Sequence, residues 1–250
     1  MRKAKRRKDE EEEQAEGTKA VVPRGGPPLK ERYVWYTSYG SNMCRERFMC
    51  YLQGGRVEGM RHSCVGCSDP TPPLRDTYVP LPHHLYFAKH SQTWGGGVAF
   101  IDASPMEQGV ADDEEAVHLN PTTQQRGAIT HGRSYLLTFS QFCSVVAQEN
   151  GKTERQLGFH LDRLSAKPTT KVTEGWYGLV VYLGEREGAP MFTFTNEQPM
   201  SGVQRTYPPS SYLRVIAAGL LQLGFSAEEV RQYLLARSGL THSTFPSLSS

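Results

Sequence analysis

A run of aromatic and β-branched residues near the start of the chain stops abruptly at a glycine. Residues 33–39 read Tyr-Val-Trp-Tyr-Thr-Ser-Tyr and are followed by Gly40, Ser41 and Asn42. This composition predicts a buried strand. Apolar residues at helical spacing between 43 and 52, with Ser41 or Asn42 available as N-cap, predict a helix immediately after it.

A turn from a strand into a helix presents backbone N–H donors that have no partner within the helix. The helix dipole adds partial positive charge at the same place, so such turns bind carboxylates and phosphates. The alternative is a purely structural turn, in which Gly40 supplies an unusual backbone angle and Ser41 or Asn42 only caps the helix. The physics of the turn leaves both interpretations open.

The rest of the chain mixes short strands and helices without a regular alternation, which predicts an α+β fold. Strands are predicted at 84–88, 97–101, 133–138 and 176–183. Helices are predicted at 140–149 with Ser140 as cap, at 210–223, and at 226–237 with a capping box from Ser226 to Glu229. Residues 59–82 are predicted to be an irregular loop and residues 102–127 a polar surface insertion.

The N-terminal 32 residues differ from the rest in charge and hydropathy. They hold ten Lys and Arg against seven Asp and Glu, with little to bury, and predict a disordered tail. We expect one domain at 33–240 and a flexible tail at 241–250. The remainder of the chain has eighteen Lys and Arg against nineteen Asp and Glu, so nucleic acid is not an expected partner of the folded part. The basic block at 2–8 leaves nuclear targeting or phosphate binding open as an alternative.

The same composition bears on the compartment. The chain has no apolar run long enough to span a membrane and no apolar segment typical of a signal peptide, so we expect a soluble protein without membrane association. Its five cysteines are an odd number for a disulfide framework and predict reduced thiols. We therefore expect a cytoplasmic location, or a nuclear one through the basic block.

Two cysteines lie at a spacing that is typical of zinc or redox sites. Cys64 and Cys67 are separated by two residues, and His83 and His84 are the nearest additional ligand candidates. Because no second Cys-x-x-Cys pair follows, we predict ordinary loop thiols and no metal site. The segment 94–97, Trp-Gly-Gly-Gly, is read either as a flap over a pocket or as a hairpin turn.

Three segments together resemble the γ-glutamyl cyclotransferase-like family. The first is Tyr39-Gly40-Ser41-Asn42-Met43 after an aromatic strand, which is similar to the signature loop of that family. The second is Gln148-Glu149-Asn150-Gly151 at the end of a helix, and the third is Pro209-Ser210-Ser211-Tyr212-Leu213. They occur in the family's order and extend from residue 33 to about residue 225.

The resemblance implies a small mixed β-barrel surrounded by helices and an enzyme that needs no metal or cofactor. Its reaction cyclises a γ-glutamyl group to 5-oxoproline and releases the attached amino acid, peptide or amine. By motif position, Glu149 would be the general base. The turn at Tyr39, Gly40, Ser41, Asn42 and Met43 would hold the carboxylate or the developing oxyanion of a small γ-glutamyl substrate. Tyr212 would lie on the wall of the site, with its hydroxyl near the glutamate or the ligand.

Other interpretations of these residues remain open at this point. Glu149 would otherwise be a solvated residue at a helix end, with Glu154 and Glu115 as its nearest rivals for the role of base. Val146 stands where the family usually has an aspartate. An alternative function is therefore a catalytically inactive family member that binds a carboxylate-bearing ligand or a protein partner.

Overall fold

A computed structural model describes residues 33–106, 129–157, 160–241, 244–245 and 247. The predicted tail at 1–32, with its basic block, lies outside the described residues. So do most of the predicted insertion at 102–127, including Glu115, and most of the predicted tail at 241–250. Within the described residues, no helix is long and apolar enough to cross a membrane.

Eight strands make up the β structure of the described residues. They are β1 (Tyr33–Ser38), β2 (Arg75–Leu81), β3 (Leu85–Ser91), β4 (Gly96–Ile101), β5 (Thr130–Thr138), β6 (Thr169–Lys171), β7 (Leu179–Arg186) and β8 (Ala189–Thr195). Six form a mixed sheet in the order β2-β5-β1-β8-β7-β6, while β3 and β4 form a separate hairpin. Strand β1 pairs antiparallel with β5 and parallel with β8. This arrangement confirms the predicted α+β fold.

In the described part of the chain, five α-helices accompany the strands. They are α1 (Arg45–Gln53), α2 (Phe139–Glu149), α3 (Leu161–Ser165), α4 (Ser210–Gln222) and α5 (Ala227–Ser238). A short 3-10 turn, Ser41–Met43, connects β1 to α1. The predicted capping box of α5 is present, since the Ser226 hydroxyl accepts from the Glu229 N–H and the Glu229 carboxylate accepts from the Ser226 N–H.

Side chains on the two faces of the sheet enter two separate hydrophobic clusters. On β1, Trp35 packs with the β3–β4 hairpin and helices α4 and α5, whereas Val34 and Tyr36 pack with helices α1, α2 and α3. The alternation follows from the period of two along a strand. The hairpin with α4 and α5 thus covers one face of the sheet, helices α1 to α3 cover the other, and β1 lies between the two layers.

Two predicted helix caps are wrong. Ser41 and Asn42 do not cap α1, because they form the 3-10 turn and α1 begins only after Cys44, which makes no side-chain cap. Helix α2 is capped by Thr138 rather than Ser140, because Thr138 and Gln141 form a reciprocal capping box.

The predicted loop at 59–82 contains strand β2. The pattern was obscured by Pro80, which is tolerated here because β2 is an edge strand of the sheet. The strand predicted from 176 begins only at Leu179. The Asn150 side chain accepts from the Tyr177 N–H at 3.0 Å and donates to the Tyr177 carbonyl at 3.1 Å, which satisfies that backbone outside the sheet.

Helix α4 lies directly against the 3-10 turn, and a glycine makes this close approach possible. A Cβ atom added to Gly219 would lie 2.4 Å from the backbone carbon of Met43 and 2.5 Å from the nitrogen of Cys44. No side chain fits in that space. The C-terminal half of the chain therefore fixes the position of a turn near the start of the domain.

Candidate active site

The turn after β1 is held in place by its own backbone and by Tyr39. The Met43 N–H donates to the Gly40 carbonyl at 3.0 Å, and the Cys44 N–H donates to the Ser41 carbonyl at 3.1 Å. The Tyr39 hydroxyl donates to the Phe194 carbonyl on β8 at 2.7 Å. The turn is thus fixed from within and anchored to the neighbouring strand.

The Asn42 side chain connects this turn to Glu149. Its Nδ2 donates to Glu149 Oε1 at 2.9 Å and to the Tyr36 hydroxyl at 3.1 Å. Its backbone carbonyl accepts from the Tyr135 hydroxyl at 2.8 Å. Two segments that are far apart in the sequence, the turn and the end of α2, therefore meet through one amide group.

Glu149 is the last residue of α2 and lines a cavity beside the turn. Burial raises the pKa of its carboxyl group, and the Arg47 charge and hydrogen bonds from Asn42 and Tyr51 oppose that rise. The residue is only partly exposed. It is therefore not the freely solvated helix-end glutamate of the alternative interpretation, whereas Glu154 lies in an exposed 3-10 turn and does not line the cavity.

The cavity has a volume of about 530 Å³ and is open to solvent on one side. Tyr39, Gly40, Ser41, Asn42, Glu149 and Tyr212 all contribute to its lining. Trp94, Tyr177 and Phe194 add aromatic walls, and the exposed residues Gln92 and Trp176 lie towards the opening. The size is in the range typical of small-molecule sites.

Tyr212 lies in the first turn of α4 and closes the wall opposite the sheet. Its hydroxyl accepts from the Ala99 N–H at 3.1 Å, and the Ser41 backbone lies in hydrogen-bond contact with it. Burial raises the pKa of Tyr212 to about 12, so it stays a neutral phenol at neutral pH. A Cβ atom on Gly40 would lie 3.0 Å from this oxygen, which explains the glycine at that position.

Met43 does not belong to the cavity, which corrects the predicted set of binding residues. Its side chain is fully buried in the core, and its N–H is already used by the Gly40 carbonyl. In the part of the chain that the structure describes, no group accepts a hydrogen bond from the N–H of Gly40 or of Asn42. The donors available at the turn therefore come from residues 40–42.

Arg47 is the site residue that the sequence analysis missed. It lies in α1, is 4% exposed, and lines the cavity. A signal for it was present, because Arg47 lies four residues before Tyr51, and positions i and i+4 share one face of a helix. Tyr51 is buried in α1, and the same face of the helix also buries Arg47.

Cys64 and Cys67 each contact a group of the protein itself. Among the described residues, no group of three or more His, Cys, Asp and Glu side chains is arranged to hold a metal ion. The Cys64 sulfur accepts from Arg47, and the Cys67 thiol donates to the Tyr51 carbonyl. Trp94 and Gly95 lie in the turn of the β3–β4 hairpin, with Gly95 at a φ of 80°, while Gly96 and Gly97 begin β4. Trp94 packs against Tyr212 and lines the cavity.

Comparison with known proteins gives both a sequence relative and structural neighbours. No family model matches the chain. Over 223 residues it is 33% identical to Histone deacetylase 5 from Arabidopsis thaliana, a match that covers 80% of this chain and 30% of that protein. The chain therefore spans about 30% of the length of this relative. The name of the relative refers to that whole, much longer protein.

Three solved structures are similar in fold. One is a γ-glutamyl cyclotransferase, with a TM-score of 0.46 and 16% identity, covering 86% of this chain and 94% of that one. Another is an uncharacterized protein from Homo sapiens, with a TM-score of 0.45 and 18% identity over 81% and 87% of the two chains. The third is a yeast γ-glutamyl cyclotransferase specific to glutathione, with a TM-score of 0.36 and 12% identity over 85% and 98%.

Proposed function

We propose that this chain is a γ-glutamyl cyclotransferase-type enzyme that forms 5-oxoproline and releases an amino acid, peptide or amine. The observation that carries the proposal is the 2.9 Å hydrogen bond from Asn42 of the turn to the Glu149 carboxylate at the edge of one cavity. The three sequence segments that resemble the family supply two of the residues involved and a third, Tyr212, on the same cavity wall.

In this proposal Glu149 is the general base. It takes a proton from the α-ammonium group of the substrate, and the freed amine attacks the γ-carbonyl carbon of the same molecule. A new C–N bond closes the five-membered ring, the bond from the γ-carbon to the leaving nitrogen breaks, and Glu149 returns its proton to that nitrogen. No oxidant, reductant or second substrate is consumed.

The turn and Tyr212 stabilise the negative charge that develops on the γ-carbonyl oxygen. The N–H groups of Gly40 and Asn42 are donors without a protein acceptor among the described residues, and the neutral phenol of Tyr212 is next to them. Preformed donors of this kind stabilise an oxyanion without reorganising during the reaction. Holding both reacting ends of one flexible substrate in the cavity contributes further, as in other intramolecular reactions.

The test is release of 5-oxoproline from a panel of γ-glutamyl amino acids, γ-glutamyl amines and glutathione. Glu149→Gln keeps the size of the side chain and removes the base, whereas Glu154→Gln makes the same change at an exposed glutamate outside the cavity. We expect activity with at least one compound, its loss in the first variant and its retention in the second. Equal activity in both variants would exclude Glu149 as the base.

A second candidate is a family member that binds such ligands without turning them over. Val146, which stands where the family usually has an aspartate, is fully buried in the hydrophobic cluster beneath α2. This candidate predicts that γ-glutamyl compounds raise the melting temperature while no 5-oxoproline is released. Release of 5-oxoproline that depends on Glu149 would exclude it.

A further inference from the structure

Arg47 is a buried cation that pairs with no carboxylate among the residues the structure describes. Its side chain lies in the wall of the cavity and is 4% exposed. Within the described parts of the chain, no Asp or Glu oxygen lies within 4 Å of its guanidinium group, and its Nε has no hydrogen-bond acceptor. Burying an unpaired charge is costly, and the cost is normally offset by an anion.

The groups that do contact Arg47 are uncharged. Nη2 donates to the Tyr51 hydroxyl at 2.9 Å, with the guanidinium carbon 4.3 Å from the centre of the Tyr51 ring. Nη1 donates to the Cys64 sulfur at 3.4 Å. An arginine has five N–H donors in a planar fork, which suits two-point binding of a carboxylate. The protein fixes this fork but leaves donors without an acceptor.

Glu149 provides the opposite charge on the same cavity wall. The two side chains do not form an ion pair, yet each influences the protonation of the other. The Tyr51 hydroxyl contacts both of them, accepting from Arg47 and bonding to the Glu149 carboxyl. One positive and one negative group are therefore held close together without neutralising each other by direct contact.

We propose that this pair recognises the zwitterionic head group of an α-amino acid, with Arg47 binding the α-carboxylate and Glu149 facing the α-ammonium group. The assignment deepens the proposed function and rests on it for the role of Glu149. It also divides the work at the site. Because Arg47 takes the α-carboxylate, the N–H groups of Gly40 and Asn42 are free for the γ-carbonyl oxygen.

The experiment compares two ligands that cannot react. L-5-oxoproline carries the carboxylate, and L-5-oxoprolinamide replaces it with a neutral amide of nearly the same shape. Binding of each is measured by calorimetry to the wild type, Arg47→Gln, Arg47→Lys and Arg45→Gln. Arg45 lies on the same helix but outside the cavity, where it pairs with Asp76, so its variant removes an equal charge elsewhere.

We expect the wild type to prefer the acid over the amide by about tenfold or more, the usual effect of a charge-assisted hydrogen bond. Arg47→Gln should remove this preference while leaving affinity for the amide nearly unchanged. Arg47→Lys should keep part of it, since the charge remains but the fork is lost. Arg45→Gln should keep all of it.

The inference is overturned if the wild type binds neither ligand, if it shows no preference for the acid, or if Arg47→Gln retains that preference. The wild-type measurements stand even if Arg47→Gln fails to fold. An Arg47-dependent preference without 5-oxoproline release would support the inference and contradict the cyclotransferase proposal. If the protein releases 5-oxoproline but its preference for the acid does not depend on Arg47, the cyclotransferase proposal is supported and the inference about Arg47 is contradicted.

Discussion

Two buried arginines lie on opposite sides of the 3-10 turn, and their surroundings differ. Arg133 is 6% exposed and its Nε and Nη2 both contact Asp76, with the Nε at 2.7 Å and the Nη2 at 2.6 Å from Oδ2. Its Nη1 donates to the Gln222 side chain at 2.8 Å and to the Met43 carbonyl at 3.1 Å. Among the described residues, Arg47 on the cavity side donates to a phenol and a thiol.

The difference separates a structural arginine from one available to a ligand. Arg133 ties strands β2 and β5, helix α4 and the turn together, and its charge is neutralised inside the protein. Arg47 is buried as deeply and lacks that compensation. Native proteins satisfy nearly all buried polar groups. The unsatisfied Nε of Arg47 lies beside the cavity, where a ligand could accept a hydrogen bond from it.

The largest expected effect is on the cavity side of the turn. Glu149→Gln should lower kcat/KM for the best γ-glutamyl substrate by about 10³-fold, in the range for loss of a general base. Because the wild-type carboxyl is ionised against the effect of burial, the free energy of unfolding should not fall. Steady-state kinetics and urea unfolding of the same preparation measure both quantities. If Glu149→Gln lowered the free energy of unfolding as well as kcat/KM, the role of Glu149 would be structural instead.

The next largest effect is expected on stability, at the ion pair of Arg133. Asp76→Ala should lower the free energy of unfolding by about 3 kcal/mol, because it leaves the Arg133 charge buried and unpaired. Arg45→Gln removes the more exposed partner of the same carboxylate, whose side chain is 39% exposed, and should cost less than about 1 kcal/mol. Urea unfolding distinguishes the two. If Asp76→Ala and Arg45→Gln were equally destabilising, the deeper burial of Arg133 would not matter for stability.

A third change acts on the turn that both sides share. Gly219→Ala places a methyl group against the Met43 and Cys44 backbone, and overpacking of this kind costs about 1–3 kcal/mol. Gly202→Ala is the matched control, since a Cβ atom there meets nothing within 4 Å. Thermal unfolding should show a lower Tm for the first variant only. An unchanged Tm would mean that α4 can move away from the turn.

The smallest effect is a shift with pH. Activity requires the Glu149 carboxylate, so kcat/KM should fall as the pH drops through its raised pKa. The sign for stability is opposite: the folded protein holds this proton at a higher pH than the unfolded chain, so the contribution of Glu149 to stability decreases as the pH rises through that window. In Arg47→Gln the fall in activity should move to higher pH, because the Arg47 charge lowers the pKa of Glu149. If the pH profile of Arg47→Gln matched that of the wild type, the Arg47 charge would not influence the pKa of Glu149.

The sequence allowed half of the site to be predicted because that half lies in continuous segments. The aromatic strand ending at Gly40 and the glutamate at the end of a capped helix are each local patterns. What joined them, the hydrogen bond from Asn42 to Glu149, depends on how α2 packs on the sheet. No local pattern contains that information, which is why a solvated Glu149 stayed open until the structure was considered.

The sequence predictions that differ from the structure do so for physical reasons. Met43 was included with the turn, but the 3-10 geometry points its N–H at Gly40 and its side chain into the core. Arg47 was overlooked because it lies outside the three segments from which the site was predicted. Strands β2 and β8 were missed because each contains a proline that local rules weigh against a strand.

The parallel pairing of β1 with β8 has a consequence for how the protein is made. Residues Trp35 and Tyr36 of β1 pair with Met191 and Phe192, so β1 obtains both of its neighbours from segments synthesised long after it. Contacts between such distant segments form slowly. On a ribosome, the aromatic strand would emerge early and wait unpaired while most of the domain is translated. The strand is thus exposed for longer than the strands it pairs with, and a requirement for chaperones would fall on it.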